Sequence, residues 1–353
     1  MKAAKFYGVR DIRVEEVNEP QIKNRSDIKI RVKVAGICGS DISKYGKTGP
    51  HFEGEIIGHE FSGEVVEVGD DVQNFKKGDS VGICPAIPCF ECYYCKKGEY
   101  TKCVDLQVMG SRQYQGCFAE YIVVDQKFLL KIPEGVDYET AAGIEPSCIA
   151  AHGIHHANVE PGDTVLVLGA GPIGLFSIQW AKVFGATTVI AVDIFDDKLR
   201  IAKDVGADFC INSKYQDPHK IIQDLTYGLG VDIAVESAGT PLTCAQVLNY
   251  PKKGGVVIYA GVPYGDVLMP RKEFEKILRN ELNVKGTWFG NSYPFPGKEW
   301  ENTLYFMQKK QIQVKPFITH RITMDEVPEM FEKIYKRDVF FSKIMVEIDS
   351  EMR

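Results

Sequence analysis

The chain has 353 residues, 44% of them apolar and 25% charged, with a formal net charge of −6. That length favours two domains over one and supports a sizeable core, and the composition is that of an ordinary globular protein. The acidic balance argues against nucleic acid or an acidic membrane surface as the main partner, while leaving room for a phosphorylated small molecule and a local basic pocket.

The first residues, MKAAKFYGVRDIRVEE, become charged at once and hold no apolar core of signal-peptide length. The expected compartment is the cytoplasm, where structural disulfides are uncommon. An apolar strand then leads into VKVAGICGSD, placing Cys38 ahead of Gly39, Ser40 and Asp41. A second apolar run, IIGHEFSGEVVEVG, carries His59 and Glu60. Turn signals between the two runs allow a strand–loop–strand arrangement that brings Cys38 and His59 together.

Residues 84–103 read CPAIPCFECYYCKKGEYTKC. Within them Cys89, Cys92, Cys95 and Cys103 form C-x2-C-x2-C-x7-C. Two-residue gaps let several sulfurs converge on one ion, and four thiolates match a closed, structural zinc site. An iron–sulfur cluster also favours C-x2-C-x2-C, but the usual C-x3-C-P continuation is absent. A disulfide framework suits a small secreted domain rather than this chain. Zinc is the favoured occupant, and it would act as a clamp on a loop with little core of its own. Cys84, at the end of SVGIC, reads as a small buried residue.

Further on, GIEPSCIAAHGIHH sets Glu145 among apolar residues just before Pro146. A carboxylate there is costly unless paired or metal-bound. Cys38, His59 and Glu145 would leave one tetrahedral position open, as in catalytic zinc sites. By spacing alone, such scattered residues read as structural more often than catalytic.

Thr164–Ala181 is the longest uncharged run, but glycines and a proline interrupt it, so a strand, a tight turn and a helix explain it better than a membrane span. TVLVLGAGPIGL places Gly169, Gly171 and Gly174 between strand and helix, with Pro172 and Ile173 opening the helix. This is the dinucleotide-binding turn in its proper context. Gly169 permits the turn, Gly171 admits a pyrophosphate, and Gly174 lets helix and strand approach. The next strand, TTVIAVD, ends at Asp193, where a carboxylate accepts hydrogen bonds from a ribose and repels a 2′-phosphate. NAD is therefore favoured over NADP. VDIAVESAG (231–239) and GGVVIYAGVP (254–263) read as further strands of the same sheet.

Taken in order, VAGICGSD, GHEFSGEVVEVG, the four-cysteine stretch, GCFAEY, IEP and VLVLGAGPIG resemble the zinc-dependent medium-chain dehydrogenases of alcohols, polyols and threonine. The resemblance runs from the first strand to about residue 350. It implies an α/β chain with a chaperonin-10-like (GroES-like) β-barrel catalytic domain at 1–152 and 289–353, and a doubly wound Rossmann domain at 153–288. It implies two zinc ions. The catalytic ion would be held by Cys38, His59 and Glu145, with Glu60 either a ligand or just outside the ligand set, and Asp41 supporting the site. The structural ion would be held by Cys89, Cys92, Cys95 and Cys103. Ser40 matches the inner proton-relay position. Many alcohol and sorbitol dehydrogenases place a relay histidine five residues after the first cysteine, and here that residue is Ser43. The usual relay is therefore incomplete.

GSRQYQGCFAEYIVV (110–124) and KGTWFGNSYPFPGKEW (285–300) narrow the resemblance to the branch acting on polyol phosphates. The expected reaction is NAD-dependent oxidation of a secondary hydroxyl, galactitol 1-phosphate to tagatose 6-phosphate. The alternative is an unphosphorylated polyol or another secondary alcohol of the sorbitol, butanediol or threonine type. Lys44, Lys47, His51 and above all Arg112 could bind the phosphate, since a guanidinium binds it through two hydrogen bonds. Each could equally be a solvated surface group. Trp288 could line the polyol pocket or fill a core. The resemblance also implies a homodimer or homotetramer.

Overall fold

The computed structural model describes residues 1–112 and 114–349, so Gln113, within the 110–124 motif, lies outside the described residues. The chain divides into two compact units. The first comprises Met1–Glu145, Gly290–Lys309 and the chain from Phe317 on, and the second comprises Pro146–Phe289 and Lys310–Pro316. The helix Ile144–Ala157 spans the first boundary, so Glu145 belongs to the first unit and the rest of that helix to the second.

In the first unit, a seven-stranded sheet is built around Asp27–Gly36. This strand pairs antiparallel with Glu60–Val68, with Tyr121–Asp125 and with Lys343–Glu347 near the C-terminus. Its alternation puts Ile28, Ile30, Val32 and Val34 out of water, each 0% exposed. Each such side chain stabilises the unit by roughly 1.5–3 kcal/mol relative to exposure. Two register shifts against Glu60–Val68 bend the pair, a bulge effect common near functional sites. Phe6, Phe61, Phe118 and Phe331 fill the core.

Two registers and two sequence neighbours place the candidate site. Gly36 lies opposite Glu60, and it also lies opposite Met345 of the C-terminal strand. Cys38 follows Gly36 by two residues and caps the short helix Gly39–Ser43. His59 immediately precedes Glu60, so the sheet brings the ends of three strands to one place.

The second unit is an all-parallel sheet: β1 (Thr164–Leu168), β2 (Thr188–Asp193), β3 (Phe209–Asn212), β4 (Val231–Glu236), β5 (Pro251–Tyr259) and β6 (Asn283–Gly286). Their spatial order is β3-β2-β1-β4-β5-β6, the doubly wound dinucleotide-binding order. Residues Val165–Leu168 of β1 are all buried, as expected of a parallel strand covered on both faces. The run that raised the membrane question is thus β1, a turn and the helix α1 (Pro172–Val183). Among the described residues no helix is long and apolar enough to cross a membrane. β6 is an edge strand, paired with β5, and its Val284 is 39% exposed.

Candidate active site and metal centres

Cys38, His59 and Glu60 each offer a ligand atom, and all three atoms lie within 4.8 Å of one another. Asp41 is buried behind them. Its Oδ2 accepts the Cys38 backbone N–H at 3.1 Å, and its Oδ1 stands 3.8 Å from His59 Nδ1. The carboxylate therefore fixes the cysteine's backbone and stands where it can orient the imidazole ring. Ser40 is exposed, and its hydroxyl lies close enough to the Cys38 sulfur to favour the thiolate.

Glu145 stands outside this closest set of ligand atoms, yet it is 3% exposed and within electrostatic reach of His59, Glu60 and Cys38. Burial pushes its carboxyl up to about 8, against the pull of His59. Burial likewise pushes the Cys38 thiol up to about 12, with Glu60 and Asp41 adding to the effect and Lys343 and Ser40 opposing it. Acidic groups crowded in a dry site resist ionising; a divalent cation reverses that logic by stabilising thiolate and carboxylate together. The donor set of sulfur, imidazole and carboxylate suits zinc.

Sequence reasoning missed Lys343. It is 2% exposed, pairs with Glu60, and donates to the Ile37 carbonyl at 3.1 Å. A side chain at Gly36 would collide with the Glu60 carboxylate and lie 2.9 Å from Lys343 Cε, so this glycine makes the room for the pair.

The four-cysteine lobe is closed by the small ribbon of Ala86–Ile87 and Gln107–Val108. The ligand atoms of Cys89, Cys92, Cys95 and Cys103 all lie within 4.8 Å of one another. The Cys89 and Cys95 sulfurs are 3.9 Å apart, far beyond a disulfide bond. Four sulfurs at about 2.3 Å from one zinc stand about 3.8 Å apart, so the spacing fits. Backbone N–H donors point at the sulfurs: Cys92 to Cys89 at 3.3 Å and Cys89 to Cys103 at 3.2 Å. Backbone donors from Cys95 and Val104 pull the Cys92 thiol down to about 6, while burial raises Cys95 and Cys103. Cys92 thus ionises more readily than Cys95 or Cys103. Phe295 packs on the lobe, its ring 5.3 Å from both Phe90 and Tyr100. None of the ten cysteines is joined to another in a disulfide, and Cys84 is buried.

The glycine turn of the second unit has the expected shape. Gly169 has φ +96°, a conformation open to glycine, and a Cβ there would lie 2.7 Å from the Ala238 nitrogen. A Cβ on Gly171 would meet nothing within 4 Å, which leaves the approach to the helix N-terminus clear. Gly171 caps α1, Pro172 opens it, and Ile173 and Gly174 follow. A Cβ on Gly174 would strike the Gly169 carbonyl, so helix and turn are in contact. Asp193 ends β2 and its Oδ2 accepts the Ala170 N–H at 2.7 Å.

The substrate candidates are placed singly. Gly110 packs against Gly58, where a Cβ would come 2.6 Å from the Gly58 carbonyl oxygen. Lys44 donates to the Gly110 carbonyl at 2.8 Å. Arg112, two residues on, is exposed with φ +53°. The loop bearing Arg112 is therefore anchored one residue from His59. Lys47 is exposed, and His51 is held by the buried Glu55 at 3.1 Å. Trp288, in the second unit, is 58% exposed and so fills no core of that unit.

Two family models match this chain. The alcohol dehydrogenase GroES-like domain covers residues 24–134, and the zinc-binding dehydrogenase domain covers residues 172–309. Galactitol 1-phosphate 5-dehydrogenase of Escherichia coli K12 is 35% identical over 313 residues, 88% of this chain and 89% of that one. The chain belongs to the zinc-dependent medium-chain dehydrogenase family. Sorbitol dehydrogenase of Bacillus subtilis strain 168, at 33% identity over 98% of this chain and 97% of its own, is a comparably near member. The crystal structure of galactitol-1-phosphate dehydrogenase from Escherichia coli superposes with a TM-score of 0.93 at 33% identity, covering 99% of this chain and all of that one. Family membership makes the protein an oxidoreductase with a GroES-like domain and a Rossmann domain.

Proposed function

We propose that the protein oxidises a secondary hydroxyl of a polyol phosphate with NAD, and that its substrate is galactitol 1-phosphate, giving tagatose 6-phosphate. The observation that carries this reading is the Arg112 loop, clamped through Gly110 onto Gly58 beside His59. Lys44, from the segment after the Cys38 helix, brings a second cation against the same loop. The similarity to galactitol 1-phosphate 5-dehydrogenase supports the same substrate class.

In this reading Cys38, His59 and Glu145 hold a catalytic zinc, with Glu60 close enough to join them, and the four-cysteine lobe holds a second, structural zinc. When bound, zinc supplies Lewis acidity to the substrate hydroxyl and NAD accepts the hydride. The chain's own groups do the rest. Ser40, two residues from Cys38 and close to its sulfur, takes the hydroxyl proton. With Ser43 in place of a relay histidine, that proton leaves through water or another base. Asp193 favours NAD because its carboxylate repels a 2′-phosphate. The open edge of β6 suits pairing with a second copy, which supports a homodimer or homotetramer. Ten cysteines without a disulfide suit a reducing compartment such as the cytoplasm.

The test is the initial rate of NADH formation with galactitol 1-phosphate and with galactitol at equal concentration, for the wild type and Arg112→Ala. The expected result is a strong preference for the phosphorylated polyol, with KM for it raised about tenfold or more in the variant, the scale of a lost charge-assisted contact. Equal rates with the two polyols would discard the phosphate site. The second reading, an unphosphorylated polyol, would then stand on the similarity to sorbitol dehydrogenase over 98% of the chain.

A further inference from the structure

Three turns meet at the carboxyl ends of β1, β4 and β5, and the last residue of β4 lies beneath them. Glu236 is 0% exposed. Its Oε1 accepts three hydrogen bonds: from the Ala238 N–H at 3.1 Å, the Gly239 N–H at 3.0 Å and the Thr243 hydroxyl at 2.7 Å. Its Oε2 has no hydrogen-bond partner. A Cβ on Gly261 would sit 2.5 Å from that oxygen. The Glu236 backbone carbonyl also receives the Ala260 and Gly261 N–H groups, both at 2.9 Å.

The turn that Glu236 shapes touches its two neighbours. Ser237 donates to the carbonyls of Leu168 at 3.0 Å and Gly169 at 2.9 Å, the start of the dinucleotide turn. Ala238 fills the space that a side chain on Gly169 would need. Gly239 faces the turn after β5, where a Cβ would come 2.7 Å from the Val262 carbonyl oxygen. The position of residues 237–239 therefore sets two other loops. A carboxyl group taken fully out of water is costly. Burial pushes the Glu236 carboxyl up, and the Thr243, Gly239 and Ala238 donors only partly offset this. Such a group persists where it determines a conformation that apolar packing would not.

We propose that Glu236 is a positioning residue for the nicotinamide cofactor. Its Oε1 locks the turn after β4, and that turn holds both the glycine turn after β1 and the turn after β5 in the shape that receives the dinucleotide. The inference rests on the dinucleotide reading of the second unit. The residue acts through backbone, not through the ribose, so its effect is the same for NADH and NADPH. Asp193 acts on the choice between them.

The experiment is direct titration of the full-length, metal-loaded protein with NADH and with NADPH, followed by nucleotide fluorescence below the melting range of every variant. Glu236→Ala is expected to weaken both nucleotides by about tenfold, the scale of one or two lost buried hydrogen bonds. Glu236→Gln keeps an acceptor oxygen and is expected to stay within about threefold of wild type. In steady state, KM for the nucleotide should rise while KM for the polyol does not. Wild-type affinity in a folded Glu236→Ala protein would overturn the proposal, as would equal losses in the Ala and Gln variants. Should Glu236→Ala not fold, Thr243→Val, which removes one donor, carries the test: weaker binding of both nucleotides supports the proposal and unchanged binding overturns it. A wild type that binds neither nucleotide would instead discard the dinucleotide reading itself.

Discussion

Lys343 and Glu60 form an ion pair in which each side chain is 2% exposed, although 283 residues separate them in the chain. The pair closes the sheet beside the candidate zinc ligands. It keeps the charge of Glu60 balanced whether or not that carboxylate also reaches a metal. Removing one partner leaves the other charged and dry, which costs about 3–5 kcal/mol. Lys343→Met should therefore lower the urea midpoint of the metal-loaded protein by that scale. Adding Glu60→Gln to Lys343→Met should recover part of the loss. Additive losses in the double variant would show that the two side chains do not act on each other.

Gly36 carries a separate prediction. A methyl group there would overlap the Glu60 carboxylate and crowd the lysine stem. Gly36→Ala should cost roughly 1–3 kcal/mol, the range for an overpacked site, and should lower activity because the displaced carboxylate lies among the ligand atoms. A stable, fully active Gly36→Ala protein would mean that the pair has room to shift.

The four-cysteine lobe is tested by metal content. Cys92→Ser removes the thiol that backbone donors pull down. Elemental analysis should show one zinc fewer per chain. Because Phe295 packs on Tyr100 of the lobe, amide exchange should also quicken around residues 291–297. Unchanged zinc content would remove the lobe from the list of metal sites.

Asp193→Ser should raise the NAD KM and bring NADP into use. The change in the ratio of kcat/KM for the two cofactors should reach about a hundredfold, the scale of removing one like-charge contact and two ribose hydrogen bonds. A ratio unmoved by the substitution would place cofactor choice elsewhere.

A pH effect is expected at the support of the Cys38 helix. Glu332 accepts hydrogen bonds from Arg10 and from Tyr45, which lies just past that helix. The Arg10 guanidinium, followed by the Tyr45 hydroxyl, pulls its carboxyl down from the ordinary 4.5 to about 2. A lowered folded-state value means that the contribution is full above about 4.5 and fades as pH falls toward 2. The stability gap between wild type and Glu332→Gln, read from urea midpoints, should therefore narrow from pH 6 to pH 3. A constant gap would show that the carboxylate charge contributes nothing there.

Much of this was readable from local text. The glycine turn and the cysteine spacing are short-range patterns whose geometry follows from a few consecutive residues. Cys38 and His59 were readable as a pair because each ends or begins a strongly apolar strand. Local text leaves Glu60 between two roles and carries little sign of its lysine partner. A lysine beginning KIMVE reads as a solvated strand end. One signal was present: Lys343 shares a strand face with Met345, which is fully buried. Glu236 is inconspicuous inside VDIAVESAG for a similar reason. Nothing in a strand's own sequence says that the loops beyond it will need a carboxylate beneath them.

The first unit takes its centre from the front of the chain and its closing strand from the back, and this orders events during synthesis. Domains generally fold as units while the chain emerges at about 5–20 residues per second. The second unit's six strands are complete by Gly286. Lys343 emerges only after all of them. Until then Glu60 lacks the lysine that it pairs with in the finished fold. A ribosome-bound chain stalled before residue 343 should thus hold a folded nucleotide-binding half and an unfinished metal-binding half.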